Sequence, residues 1–275
     1  MIGYSISLFN AAHSILARSA SGGAVDPDAQ AFITAAAITD PTQQAAINQL
    51  VVDLKGYNLW TKMNAIYPIV GGSATSHKFN LKNPLNTNGA FRLNFIGGWI
   101  HSSTGALPNG TNAYADTYLT PSTTLSLNNS HLSFYSRTNA IAYKRDSMGS
   151  INGLSSRHSI ALKDTINNAN FSIDKGNASF VNNNSTGFFI ASRTANNSLK
   201  AYKNNSLVAT DTTTITAISN PYRIYIGAAN SSNTPLFYDL KECAFASIGD
   251  GLTDAEALNF YTAVQAFQTT LGRQL

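Results

Sequence analysis

Proton-moving chemistry in this chain would fall to two glutamates, Glu242 and Glu256, twelve aspartates and five histidines. Hydrolysis of a glycosidic bond needs two carboxyl groups about 5 to 10 Å apart, one donating a proton and the other acting as nucleophile or base. Glu256 follows Thr253 by three residues, the spacing of a helix capping box, which already accounts for it. Serine catalysis lacks its elbow, since no Gly-x-Ser-x-Gly occurs. His13, His77, His101, His131 and His158 lie far apart in the chain, with no arrangement that names a base. Metal ligation needs clustered donors, and neither His-x-His nor Asp-x-Asp-x-Asp is present. Ca²⁺ held by aspartates and loop carbonyls on a rim is the one metal the composition admits. Cys243, the single cysteine, lies in the alternating run Leu240 to Ala246 and reads as inert core packing, with no internal disulfide open to it. The chain is therefore expected to be no enzyme and to need no cofactor.

Binding chemistry is better represented. A sugar is held by an aromatic ring against its C–H face together with planar amide or carboxylate hydrogen bonds. The stretch Gly97-Gly98-Trp99-Ile100-His101, followed by Asn109, Asn112, Tyr114 and Asp116, supplies both. Trp99, Asn112, Tyr114 and Asp116 are the candidate glycan-binding residues. The plainer alternatives are that Trp99 plugs the core and that Asn109-Gly110 is an ordinary turn.

The scaffold behind these residues is constrained first by composition. Only 12% of the 275 residues are charged, so Asn, Ser and Thr must supply most of the polar surface, as in Asn182-Asn183-Asn184-Ser185-Thr186. The net charge of +4 is scattered along the chain and forms no phosphate-binding stripe, so no nucleic-acid partner is expected. No apolar stretch approaches the roughly 20 residues of a membrane span, which argues against membrane insertion. Met1 to Leu16 lacks the positive start of a secretory signal. The length fits one large β-domain with a small appendage.

Residues 1–25 read as an arm leaving through the flexible Ser19-Ala20-Ser21-Gly22-Gly23, and residues 26–72 as a helical anchoring or oligomerisation segment. Asp26-Pro27 and Asp40-Pro41 each place an N-cap before a proline at the first helical position, and Gln43 completes a capping-box arrangement with Asp40. Ile47, Leu50, Val51 and Leu54 then make one apolar face, which Leu59, Trp60, Met63 and Ile66 extend toward Pro68. From residue 73 to 275 the texture becomes short alternating runs between Asn, Gly and Ser clusters, that of an antiparallel β-sandwich. Strands are expected at Ala90–Phe95, Ala115–Leu119, Leu132–Arg137, Ser159–Lys163, Asn170–Asp174, Gly187–Arg193, Leu199–Lys203, Leu207–Thr210, Arg223–Ala228 and Phe237–Ala246. A tight turn is expected at Asn204-Asn205. A final helix spans about Asp254 to Leu271, capped by Thr253 and Glu256, with Leu258, Tyr261, Val264, Phe267 and Leu271 as its stripe and Gly272 at its end.

The order of the last third resembles the closing half of a laminin-G-like, concanavalin A-like domain. Ser198 to Val208 is similar to that family's strand, turn and returning strand, Arg223-Ile224-Tyr225-Ile226-Gly227 to its strand ending in Ile-Gly, and Gly251-Leu252-Thr253-Asp254-Ala255-Glu256 to the start of its terminal helix. A second likeness spans residues 26 to 273. Asp26 to Ile33, Ile47 to Lys55, His77 to Pro84, Asn109 to Thr117, Phe134 to Thr138 and Ala263 to Phe267 resemble the layout of structural proteins of tailed phages, in tails or head fibres.

These resemblances imply a mainly β protein, a concanavalin A-like jelly roll between N-terminal helices and a C-terminal helix. They imply a virion structural protein, a fibre or decoration subunit assembled in the host cytoplasm. Its partners would be other virion proteins in a homo-oligomer, with a trimer favoured, and a host-surface glycan. The rival reading is a polysaccharide-degrading glycoside hydrolase on the same sandwich, but the Glu-x-Asp-x-x-Glu strand of the related glucanases is absent.

Overall fold

The structure, a computed structural model, describes residues 24–141, 145–153, 156–216 and 220–275. The arm expected over residues 1–25 lies outside the described residues except for Ala24 and Val25. In chain order the elements are α1 (Pro27–Ala35), α2 (Pro41–Gly56), β1 (Met63–Tyr67), α3 (Ala74–His77), β2 (Asn94–Ile96), β3 (Trp99–His101), β4 (Ala106–Pro108), β5 (Tyr114–Asp116), α4 (Pro121–Thr124), β6 (Ser130–Ser136), β7 (Met148–Asn152), β8 (Ser156–Ala161), β9 (Asn168–Ile173), β10 (Gly176–Val181), β11 (Gly187–Ala195), β12 (Ser198–Lys203), β13 (Ser206–Asp211), β14 (Tyr225–Ile226), β15 (Ala229–Ser231), β16 (Thr234–Leu236), β17 (Cys243–Gly249) and α5 (Asp254–Thr270).

Both N-terminal helices start where the Asp-Pro pairs put them. Asp26 accepts from the amide of Asp28 at 3.0 Å and Asp40 from the amide of Gln43 at 2.8 Å. The reciprocal half of the expected box at Asp40 is missing, because the Gln43 side-chain oxygen instead accepts from the Gly71 amide at 2.8 Å, pinning a distant loop to the helix. Nor does the helical stripe run on past Gly56. Asn58 turns into the left-handed region, Trp60–Lys62 forms one 3-10 turn, and Met63 to Tyr67 pairs antiparallel with β17.

Two sheets form the sandwich. The first runs β13-β12-β11-β6-β17-β4-β3, with β1 also paired to β17; the second runs β10-β9-β8-β7-β14-β5-β2. The pairings are antiparallel apart from β15, which lies parallel to β7 and forms a short hairpin with β16. Asn204 takes a positive φ of 53° at the β12–β13 turn, and its side chain accepts from the Phe188 amide at 2.9 Å, so the turn also grips the neighbouring strand. Four expected strands are shorter than their apolar content suggests, one of them β5, which ends at Asp116 ahead of Tyr118 at φ 56°. Phe91 adopts φ 57° and delays β2 to Asn94, β14 keeps only Tyr225–Ile226, and Phe237 at φ 57° holds β17 back to Cys243.

Sheet one is covered on both faces. Phe188 and Ile190 join Tyr135, Tyr202 and Phe245 in packing against α1, α2 and α5, while Phe189 and Ala191 face Phe134, Phe171 and Ile160 between the sheets. That double burial is why Phe188-Phe189-Ile190-Ala191 reads as an unbroken apolar run. The α2 stripe Ile47, Leu50, Val51 and Leu54 is fully buried within this layer, where α2 and α5 pack together. The second sheet has no such cover on its far side among the described residues. Its Ile160, Phe171, Ala115 and Ile226 point inward, and the alternate positions face the other side of the sheet, where Arg157 and Asn170 are part-exposed and Ser159 and Ser172 buried.

α5 carries the expected box, with the Glu256 side chain accepting from the Thr253 amide at 2.8 Å and the Thr253 hydroxyl accepting from the Glu256 amide at 3.3 Å. Its buried face is rotated from the expected one. Ala257, Phe260, Ala263, Val264 and Phe267 are covered, whereas Leu258 is 49% exposed, because Phe260 is the ring that meets Phe188 and Phe245. Thr253→Ala is expected to lower stability by about 1 kcal/mol, read as a drop of roughly 2–4 °C in thermal midpoint. An unchanged midpoint would show that the box contributes nothing.

Candidate functional site

Since helices cover one sheet, the outer face of the other is the sheet face open to a ligand among the described residues. There the side chains alternate outward as Arg157, Ser159 and Ala161 on β8, Asn170 and Ser172 on β9, and Asn177 on β10, with Ser159 opposite Ser172 and Ala161 opposite Asn170. Small floor residues leave a cavity of about 610 Å³ lined by Arg157, Asn170, Ser172 and Asn177, and an adjoining one of about 400 Å³ that reaches Lys175 and Gly176.

The walls are built by local chemistry. On one side Asp164 accepts from the amides of Ile166 and Asn168 at 2.9 and 2.8 Å, a side-chain-closed turn that holds Ile166 out at 72% exposure. On the other side Phe237 accepts the Asp146 amide at 3.0 Å through its carbonyl. Behind it Asp239 is fully buried. Its carboxylate accepts from the Ser147 hydroxyl at 2.5 Å and from Lys241 at 3.0 Å, which anchors the segment carrying Phe237.

Arg157 stands in the floor. Its Nε donates to Ser159 at 2.7 Å and its Nη2 to both oxygens of Asp146 at 2.7 Å. Nη1 makes no hydrogen bond among the described residues, and the side chain is 38% exposed. Burial pushes the Asp146 carboxyl above the usual carboxylate range, and the Arg157 guanidinium opposes that rise. Arg145 and Lys163 line the same cavity, held by carbonyl groups: Arg145 donates to Gly110 at 2.7 Å and Tyr238 at 2.5 Å, Lys163 to Asn183 at 2.5 Å. A planar donor fork, two primary amides, hydroxyls and two apolar walls can hold a polyhydroxylated chain by hydrogen bonds and C–H stacking.

Of the candidate residues from the sequence, Trp99 is on β3 of the first sheet and Asn112 in the loop before β5, while the other two lie further along the same sheet as the groove. Tyr114 and Asp116 share its outer face. Tyr114 stacks on Tyr225 at 4.6 Å, and Asp116 accepts from Arg223 at 3.0 Å. Asn112 accepts from the Gly98 amide and from Asn109, and so braces a loop. Trp99 is half-buried with its N–H shared between the Ile96 and Tyr114 carbonyls, and its ring lies where a side chain on Gly227 would be, 2.8 Å from an added Cβ. No cluster of three or more His, Cys, Asp or Glu able to hold a metal occurs among the described residues.

Other expectations resolve differently. His77 and His101 do meet, their Nδ1 atoms 2.9 Å apart. Glu242 accepts from Thr104 at 2.6 Å and faces Arg137 at 3.4 Å, while Glu256 adds a bridge to Lys62 at 2.7 Å. Cys243 is buried, and that burial pushes its thiol far up. The groove itself was not among the sequence candidates. Its signal was the alternation of Arg157, Ser159 and Asn170, Ser172 at outward positions, legible only once the sheet faces are known.

No family model matches the sequence, and no curated protein does. The structure is similar to domain 4 of the extracellular arabinanase AbnA of Geobacillus stearothermophilus, solved in complex with arabinotriose. The TM-score is 0.53 over 72% of this chain and 98% of that one, at 14% identity. It is also similar to the receptor-binding domain of botulinum neurotoxin C/D mosaic serotype, with TM-score 0.49 and 10% identity over 74% of this chain and 51% of that one. A third is the CBM40 of Ruminococcus gnavus IT-sialidase bound to α2,3 sialyllactose, with TM-score 0.40 and 12% identity over 48% and 82%. The chain is a mainly β protein in which two antiparallel sheets form a sandwich with an added helical layer.

Proposed function

We propose that this chain is a carbohydrate-binding module whose site is the groove over β8, β9 and β10. The observation that carries the reading is the convergence of Arg157, Asn170, Ser172 and Asn177 between Phe237 and Ile166 on the sheet face left open among the described residues. The fold shared with an arabinanase domain solved with arabinotriose supports it. Binding is favoured over hydrolysis because Asp146 is buried against Arg157 and Asp164 closes a turn, so each carboxylate lining the larger cavity already has a structural task.

A glycan array followed by calorimetry tests this. Asn177→Ala is expected to weaken the bound glycan roughly 5- to 10-fold, about the worth of one hydrogen bond. The fold should survive, since the Asn177 backbone amide keeps its bond to Asp211 at 2.8 Å. No reducing ends should be released. An array without a single hit, or an Asn177→Ala protein binding as well as the parent, would sink the reading.

We further read the module as displayed on a tailed-phage particle, a fibre or decoration subunit in a homo-oligomer with a trimer favoured. The support is the likeness of Asp26 to Ile33, Ile47 to Lys55 and His77 to Pro84 to such proteins. Mass spectrometry of gradient-purified particles should detect the chain, and light scattering should give a trimer. A monomer absent from particles counts against it.

A further inference from the structure

The charges around the groove are unequally compensated. Arg145, Arg157, Lys163 and Lys175 line the two cavities together with Asp146, Asp164 and Asp174. Asp146 is taken up by Arg157 and Asp174 faces the buried Arg193 at 3.9 Å, so both carboxylates are neutralised from within the protein. Among the described residues Arg145, Lys163 and Lys175 have no carboxylate within 4.0 Å, and only Asp164 stands against them.

The same imbalance recurs at the far edge of this face. A smaller cavity of about 230 Å³ beside β2 is lined by Lys78 and Arg92 with Asn94, and neither cation has a carboxylate partner among the described residues. Between the two cationic ends lie Tyr225 stacked on Tyr114, and Tyr118 with Arg223 over its ring at 4.8 Å. Six inter-strand spacings separate β10 from β2, roughly 29 Å at about 4.8 Å each. On the helical side more of the lysines are paired, Lys82 over the Trp60 ring at 4.0 Å being an exception. Lys55, Lys62 and Lys200 each sit 2.6 to 2.7 Å from an acidic side chain.

We propose that the occupant of this face is an acidic polysaccharide, a chain bearing carboxylate or sulfate groups, lying across the strands from Lys175 toward Lys78 and Arg92. The inference rests on the glycan-binding reading above and adds the charge class of the ligand. Uncompensated cations at spaced stations attract a repeating anion, and the partly exposed Tyr114 and Tyr118 between them offer apolar surface to the uncharged faces of the sugars, Tyr225 being buried. A nucleic acid also repeats its charge, but it carries one phosphate per nucleotide on each strand, and this face provides two separated cationic groups and no continuous stripe.

The test titrates the full chain with polygalacturonate, dextran sulfate, unmodified dextran and an oligothymidylate, at about 20 mM and about 300 mM salt. Expected is binding of one or both acidic polymers at least about tenfold tighter than dextran, weakening with salt. The carboxylated and sulfated arms decide which acid is preferred. Lys175→Gln and Arg92→Gln, both at the surface, should each weaken that binding roughly threefold without changing the circular dichroism spectrum. Equal, salt-insensitive binding of dextran and both acidic polymers overturns the charge inference and leaves the groove reading intact. Absence of binding to any polysaccharide overturns both, and oligothymidylate bound as tightly as the acidic polymers overturns the polysaccharide assignment.

Discussion

Acid should unfold this protein steeply, with roughly 7 kcal/mol of stability lost between pH 7 and pH 4.5 if three buried histidines act independently. Burial lowers His77 to about 3, with the neighbouring His101 and Arg273 charges adding to the effect. Burial also lowers His131 to about 4 against the bond from its Nδ1 to the Asp250 carbonyl, with Lys62 adding to the fall, and His158 to about 4 with Arg193 adding to the fall. Each folded value lies below the unfolded value near 6.5. The unfolded chain therefore binds more protons between those limits, and stability present above about pH 6.5 is lost as pH falls toward 4. Asp146 and Asp174, raised by burial, act in the opposite direction and soften the slope at its acid end. Urea denaturation at pH 7, 5.5 and 4.5 measures the loss, and His131→Gln should remove about a third of it. A flat profile over that range would mean that the three imidazoles are solvated.

Arg273→Met should cost about 3–5 kcal/mol, the usual scale for breaking a buried charged network by removing one partner. Arg273 is 2% exposed, and its guanidinium donates to the carbonyls of Pro68 and Ile69 at 2.8 Å and Ala244 at 2.9 Å, with Nε on Gln268 at 2.6 Å. One side chain thus satisfies acceptors on the segment after β1, on β17 and on α5. Methionine fills much of the volume but leaves four acceptors without their donor. The thermal midpoint should fall by roughly 10 °C, given about 2–4 °C per kcal/mol in a domain of this size. Arg273→Lys should recover less than half, because a single ammonium cannot span the fork. A loss under about 1 kcal/mol for the methionine variant would refute the clamp.

Local chemistry was the legible part of this sequence. Thr253 with Glu256, Asp26 and Asp40 before their prolines, and Asn204 in its turn all act within a few residues, and those contacts form as spacing dictates. Assembly was less legible. Whether Leu258 or Phe260 faces inward on α5 depends on Phe188 and Phe245, rings from two distant strands. The groove was hidden for the same reason. Arg157 draws no notice as a lone arginine between Ser156 and His158, and becomes a floor residue only when Asp146, Ser159 and Phe237 are brought around it. Trp99 attracted a binding role through its aromatic chemistry, yet its indole N–H is held by two backbone carbonyls of its own domain.

The antiparallel place of β17 between β6 on one side and β1 and β4 on the other has a kinetic consequence. Its partners are far away in the chain, as His131 and Asp250 in contact 119 positions apart and Lys62 and Gly251 189 apart illustrate. Contact order this high puts loop closure before reward, so refolding should run in milliseconds to seconds and not microseconds. On the ribosome, β1 and one edge of β6 must wait unpaired until β17 has emerged. Synthesis of the last strand is the moment at which a sticky nascent chain becomes a closed particle.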